Sequence, residues 1–430
     1  MNRGKEHRRD RATTPTLIVH VSYVFGGAER SLLDFLQHSP HGDRYILALH
    51  PATELYMQAV RVGFTVCPLD VRYIGKKNLI WRPLKVLGNL LTGSWRLWRL
   101  CRREGVERIY CNTHRSLVYM GLIRFTRRSI VCHCRDNPGS RAERWLLRSM
   151  CGDVLAVSRF VADRLRGAKS VRVIPNAIRI PGDLRAEDLR SRYGVPSAAL
   201  CVGMVGSLLR WKNQLDLLRI ASDVVKRRPE THFFIIGPVV DFPYEKELRE
   251  FVRQNGLERA VTFTGPVVSG CAVMAGLDVV LHTALGEPFG RVVAEAMALG
   301  LPVVAYDSGG PGEWIVSGET GVLVPSGDVR EAVSWLLWLG GSPGERRRIG
   351  EQAHNFAVRY FDMERYVDQV EESLSVSSDC PPGSRVQELF RFQSRETAGS
   401  RRCVRRGHMT APEGKSRDDG KKGEAYADSI

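Results

Sequence analysis

Glu287 and Glu295 lie on either side of Pro288, Phe289 and Gly290 in the string G-E-P-F-G-R-V-V-A-E-A. A carboxylate in a loop can accept hydrogen bonds from sugar hydroxyls. One a turn and a half into the next helix can curl back toward a vicinal diol. Pro288 fixes φ and lacks an N–H, which suits a turn feeding a helix. Gly290 lets a ligand approach the backbone closely. Apolar residues at 292, 293, 296, 297 and 299 predict a helix over 291–299, ended by Gly300. Its free N–H groups make a seat for a phosphate. Taken alone, two glutamates near one helix are usually solvated charges, so the surrounding string matters.

Other stretches fit the same chemistry. Thr16 to Val24 is a β-branched apolar run leading into Gly26-Gly27 and a helix to about Ser39. Strand, double glycine and helix make a phosphate-loop geometry, although one Gly-Gly turn is weak by itself. Y-C-N-T-H-R (110–115) and V-C-H-C-R-D (131–136) place polar groups just past strand carboxyl ends, where open α/β sheets bind ligands. His114 reads as a loop or sheet-edge histidine.

The whole stretch 282–327 resembles the donor motif of retaining glycosyltransferase family 4, which has the GT-B architecture. The match is Glu, seven residues, Glu, with Pro-Phe-Gly inside. S-G-G-P-G-E (308–313) and G-x-L-V-P-x-G-D (321–328) are similar in order and spacing. The resemblance covers about residues 16–375 and is most marked over 200–330. It implies transfer of a sugar, with retention, from a nucleotide diphosphate sugar such as a UDP- or GDP-sugar. Glu295 would hold the ribose diol and Glu287 the sugar hydroxyls. The amides of Phe289, Gly290 and Arg291, with Val292 next to them, would contact sugar and phosphate oxygens. Gly26 and Gly27 would approach the diphosphate from across the cleft. Gly206 and Ser207 open the corresponding loop of the second domain, where the family usually has Gly-Arg and then Lys six residues after the glycine. Lys212 matches that lysine and would stabilise the leaving diphosphate. Ser207 replaces the arginine, and Arg210 is expected to supply the second cation. The family commonly has a histidine near the transferred sugar; His133 and Arg135 compete for that place, and the register stays open. The resemblance implies front-side departure assisted by the leaving phosphate rather than a covalent Glu287 intermediate. It implies no cofactor beyond the nucleotide-sugar co-substrate, and a saccharide or lipid-linked acceptor, as in cell-surface polysaccharide or glycolipid biosynthesis.

Around these residues, strands are expected at 16–24, 45–50, 64–70, 108–113, 129–134, 153–158 and 171–176. In the second half they fall at 200–207, 232–237, 261–265, 278–284, 302–306 and 321–324. Helices alternate with them, the longest near 84–104. The alternation predicts α/β architecture with two Rossmann-like, doubly wound parallel sheets facing across a cleft. The expected divisions are a disordered basic 1–15, an acceptor-binding domain 16–178, a linker 179–199 and a nucleotide-sugar-binding domain 200–354. A helix crossing back over 355–378 and a disordered tail 379–430 follow.

Composition agrees with two full cores. The chain has 430 residues, 43% hydrophobic and 26% charged. No apolar run is long enough for a transmembrane helix, and the basic N-terminus leads into a strand rather than a signal peptide. Ten cysteines are scattered without a C-x-x-C pair, as expected of a reduced cytoplasmic protein rather than a disulfide or zinc framework. No Asp-x-Asp triplet occurs, so the usual carboxylate pair for a divalent ion is missing and a metal-independent reaction is expected. Net charge is +16. Residues 71–149 hold 18 Lys or Arg against 4 acids. Trp81, Trp95 and Trp98 are interleaved with that charge, which fits peripheral contact with an anionic inner membrane face better than nucleic acid. A solvated basic face is the other reading. The rival functions are a sugar-nucleotide 2-epimerase of the same fold, for which no extra acid–base carboxylate set is evident, and a non-enzymatic anion-binding protein.

Overall fold

The computed structural model describes residues 14–23, 25–71 and 83–375. The first sheet holds β1 (Thr16–His20), β2 (Tyr45–Leu49), β3 (Thr65–Pro68), β4 (Arg108–Cys111), β5 (Ser129–Cys134), β6 (Asp153–Ala156) and β7 (Val171–Val173). The second holds β8 (Leu200–Val205), β9 (Thr231–Ile236), β10 (Val261–Gly265), β11 (Val279–His282), β12 (Val303–Tyr306) and β13 (Val322–Val324). The first is ordered β3-β2-β1-β4-β5-β6-β7 and the second β10-β9-β8-β11-β12-β13. Every pairing is parallel. The two-sheet α/β architecture expected from the alternation is therefore present.

Strand composition explains the burial. Thr16 to His20 is buried at every position, as a central parallel strand with helices on both faces must be. Several strands stop short of their expected ends: β1 ends at His20 and β4 at Cys111. Beyond those points side chains take over the hydrogen bonding, as Asn112 does with His20 and the Ala28 carbonyl. The longest helix in the first unit is Pro83–Arg103. Trp81 and residues 72–82 of the basic stretch lie outside the described residues, as do residues 1–13 and the tail from 376.

Up to residue 375 the chain differs from the single crossing helix expected over 355–378, whose residues 376–378 lie outside the described residues. Pro343–Tyr360 is one helix, packed on the second unit, where Gly350 lies against Gly300. Phe361 ends it, and its carbonyl accepts a hydrogen bond from the Ile178 N–H at 3.0 Å. Met363–Ser375 then lays Tyr366, Val367, Val370 and Leu374 into the core cluster of Phe35, Leu36 and Leu47. The crossing thus occurs at residues 361–362, because the apolar face before the break belongs to one core and the face after it to the other. Among the described residues no helix is long and apolar enough to cross a membrane.

Candidate active site

The strand order reverses direction between β1 and β4 in one sheet and between β8 and β11 in the other. At such switch points adjacent strands send their loops to opposite sides and leave a crevice at the carboxyl ends. β8 and β11 are neighbours, with Val202 paired to Val279. Their loops are stitched together: Leu285 N–H donates to the Trp211 carbonyl at 2.8 Å, and Thr283 Oγ1 donates to the Asn213 carbonyl at 2.8 Å. Asn213 takes a left-handed conformation, φ 59°, which asparagine tolerates better than most residues. Its turn sends Lys212 inward.

Lys212 Nζ donates to Glu287 Oε2 at 2.5 Å. The lysine stem passes Gly206, and its ammonium lies 4.1 Å from the centre of the Trp211 ring. Glu287 is 8% exposed. Burial works to raise its pKa; Lys212 and His282 outweigh that and hold it down at about 2. His282, at the end of β11, places Nε2 3.4 Å from the same oxygen. Burial holds that imidazole below its ordinary pKa, so it is neutral near pH 7.

The backbone of Glu287 is clamped by the loop 308–310. Its N–H donates to the Ser308 carbonyl at 3.1 Å, and its carbonyl accepts from the Gly310 N–H at 2.8 Å. Gly309 has φ 101°, and a Cβ there would sit 2.2 Å from the Glu287 carbonyl oxygen. Gly290 has φ 86°, and a Cβ there would meet Pro311 at 2.7 Å. Phe289 anchors the loop among Trp314 and Phe361, with ring centres 4.9 and 5.6 Å away. The helix Arg291–Ala298 begins immediately afterwards. Val292 is half-buried against the core. Glu295, buried on that helix, accepts from Arg291 Nε at 2.8 Å.

The expected site residues therefore fall into groups. Glu287 and Lys212 are in direct contact, and Phe289, Gly290, Arg291, Val292 and Glu295 continue from them along one loop and helix. Gly27 faces them across the cleft: a Cβ on it would lie 3.7 Å from Arg291 Cδ. The Gly26 N–H is already taken by Glu29 Oε2 at 2.8 Å, and the other Glu29 oxygen by His20 at 2.7 Å. Ser207 enters through its carbonyl, which accepts from Gln214 at 3.0 Å.

Two expectations need correction. Arg210 does not join Lys212. It lies in the 3-10 turn Arg210–Lys212, where successive side chains diverge by about 120°. Its guanidinium turns outward to Glu247 at 2.8 Å and Asp241 at 3.7 Å. His133 and Arg135 do not compete for a place at the sugar; both are buried inside the first unit. His133 is fully buried with Nδ1 2.7 Å from the Tyr110 hydroxyl, and burial with nearby Arg135 keeps it neutral. Arg135 donates to Asn112 at 2.9 Å and to the Tyr366 hydroxyl at 2.8 Å, and it also bonds Asn176. It is a hub joining strand ends to the helix Met363–Ser375. Sequence reading missed His282, whose position at a strand end just before Glu287 was a usable signal. It also missed the side-chain role of Arg291 and its partners Ser31 and Asp34, for which no local signal exists.

Two parallel-sheet α/β units facing across a cleft, with ligand loops at the carboxyl strand ends, define the GT-B class. Comparison with known proteins narrows this. The family model described as Glycosyltransferase Family 4 matches residues 25–180, and that described as Glycosyl transferases group 1 matches residues 186–356. The chain belongs to this family of group 1, GT4-like glycosyltransferases. It is 33% identical over 192 residues to a D-inositol 3-phosphate glycosyltransferase of Corynebacterium urealyticum, covering 42% of this chain and 44% of that protein. It is 33% identical to a 2-deoxystreptamine N-acetyl-D-glucosaminyltransferase of Streptomyces fradiae, covering 37% of this chain and 39% of that protein. The matched stretch thus spans less than half the length of these curated relatives. The crystal structure of Anabaena HepE in complex with UDP and glucose is similar at TM-score 0.70 and 26% identity, covering 84% of this chain and 99% of that one.

Proposed function

We propose that this protein is a retaining, metal-independent glycosyltransferase. It moves a sugar from a UDP- or GDP-sugar to a saccharide or lipid-linked acceptor in cell-surface polysaccharide or glycolipid biosynthesis. The observation that carries this is the buried Lys212–Glu287 ion pair at the β8–β11 switch point, with Glu295 buried on the helix that follows the Glu287 loop. The likeness to a structure holding UDP and glucose supports a uridine nucleotide first. Glu295 would hold the ribose and Glu287 the sugar hydroxyls. Lys212 would turn from Glu287 to the diphosphate and neutralise the charge that develops as the sugar leaves, with the helix N-terminus at Arg291 assisting. His282 would then be the remaining partner of the Glu287 carboxylate.

The acceptor side points to a membrane. On the helix Pro83–Arg103, Leu84 (82% exposed), Leu87, Leu91 and Trp95 form one exposed stripe. Lys85, Arg96, Arg99, Arg102 and Arg103 are exposed around it, and Phe125 (85% exposed) is on the adjoining turn. An apolar stripe bordered by cations is the pattern of a helix lying on anionic lipid at the inner face of the membrane.

A thermal-shift screen of UDP, GDP, ADP and their sugars tests the donor reading, since ligands of the folded state raise its melting temperature. A nucleotide-linked rise that is lost in Glu295→Ala supports it; indifference to every nucleotide sinks it. Product formation that needs an acceptor separates transfer from 2-epimerisation.

A further inference from the structure

We propose that Asp34 and Ser31, on the Gly27–His38 helix of the first unit, are positioning residues for the donor site, acting through Arg291 on Glu295. The proposal rests on the reading of Glu295 as a donor ligand. The three nitrogens of the Arg291 guanidinium are divided between the two units. Nε donates to Glu295 Oε1 at 2.8 Å, Nη1 to Ser31 Oγ at 2.9 Å and Nη2 to Asp34 Oδ2 at 2.9 Å. A planar guanidinium held at three corners fixes the direction of each bond it makes. The Glu295 carboxylate is therefore aimed by contacts 257 residues away from Arg291 in the chain. Its Oε2 has no protein hydrogen-bond partner among the described residues and is left for a ligand.

The surroundings make these bonds count. The side chains of Arg291, Asp34 and Glu295 are mostly shielded from water. Burial opposes the Arg291 charge, and Glu295 and Asp34 together more than restore it. Ser31 extends the link, because its hydroxyl accepts from Arg291 and donates to the Gly27 carbonyl at 2.9 Å. The glycine turn, the guanidinium and Glu295 so form one chain of contacts across the cleft. The opposite rim of the same donor stretch is held as well. Ser158 Oγ donates to the Pro288 carbonyl at 2.6 Å, and Glu313 accepts from the N–H groups of Arg159 and Phe160 at 2.9 and 2.7 Å. Glu295 is aimed only while the units are closed; opening them releases Arg291 and lets the carboxylate swing. Closure and donor grip are in this way one event.

The test uses the full chain with Asp34→Asn, which keeps the shape and removes the charge, with Asp34→Glu as the conservative control and Ser31→Ala as an independent lesion. Without nucleotide, hydrogen exchange in residues 26–38 and 287–299 is expected to quicken in Asp34→Asn, with the rest of the chain unchanged. With the donor found in the screen, kcat is expected to fall about tenfold or more, the loss of one charge-assisted hydrogen bond. Nucleotide Kd should rise as well, by about threefold or more, because Glu295, the ribose ligand, loses its aim. Asp34→Glu should recover most of the turnover. Unchanged exchange in Asp34→Asn, or unchanged kcat in both lesions, overturns the proposal. If the wild type binds no nucleotide, the donor reading fails, and exchange in Asp34→Asn still decides whether this contact holds the cleft.

Discussion

At the scale of single residues, Lys212 and Glu287 are each tolerable in their buried setting because of the other. Lys212→Met would leave a buried carboxylate with only His282 beside it, and breaking such a pair costs about 3–5 kcal/mol. The pH dependence follows from the direction of the shift. Glu287 titrates lower in the folded chain, at about 2, than in the unfolded one, where about 4.3 is usual. Its contribution is complete above the unfolded value and is lost as pH falls through the window between the two. In Lys212→Met that acid-side loss should disappear or change sign. Urea denaturation at pH 7 and pH 3.5 measures both effects; equal stability of wild type and variant at pH 7 would rule the pairing out as a stabilising contact. Lys212→Met should also lower turnover more than it weakens acceptor affinity. Arg210, held outside by Glu247 and Asp241, should matter far less.

At the scale of elements, the site is made by loops that leave adjacent strands and are pinned by backbone contacts too close for a side chain. Gly309 and Gly290 combine positive φ with near neighbours at Glu287 and Pro311. Gly309→Ala must push the Glu287 backbone aside. Strain at such a position is of order 1–3 kcal/mol, and the clash adds to it. The expected result is a lowered denaturation midpoint together with loss of the nucleotide-linked melting shift. A Gly309→Ala protein that still shows the full nucleotide shift would mean that the 308–310 loop does not shape the site. Arg135 shows the opposite use of a strand end. Its bonds to Asn112, Asn176 and Tyr366 join the first sheet to the helix Met363–Ser375, which is how that helix is fastened to the first unit.

At the scale of the whole molecule, the charge is unevenly distributed and the first unit carries the basic, Trp-containing helix. Each cation near an anionic surface contributes about 1 kcal/mol, which salt screens within a Debye length. Vesicles containing anionic lipid should bind the protein, and raising the salt should release it. Trp95→Ser with Leu91→Ser should weaken binding without changing the melting temperature, because both side chains are exposed. Binding to neutral vesicles as tight as to anionic ones would remove the membrane reading. Added EDTA should leave sugar transfer unchanged; a loss restored by a divalent ion would show that a metal takes part.

The sequence by itself determined the alternation of strands and helices, the two parallel sheets, and the stretch from Glu287 to Glu295 that forms a loop and a helix. Those features are local: period, glycine and proline placement, and the length of apolar runs are all read within one window. Lys212 was also readable, from its spacing after Gly206. Only the tertiary structure decided which cation faces inward, because a single turn separates Lys212 from Arg210 in direction and not in composition. Only it could assign Arg135 and His133 to the interior, since the partner Tyr366 is 231 residues from Arg135. The same holds for Arg291 with Asp34. A contact between distant segments leaves no periodic mark on either one; it exists because the fold brings two helices to one cleft, where charges shielded from water must find each other.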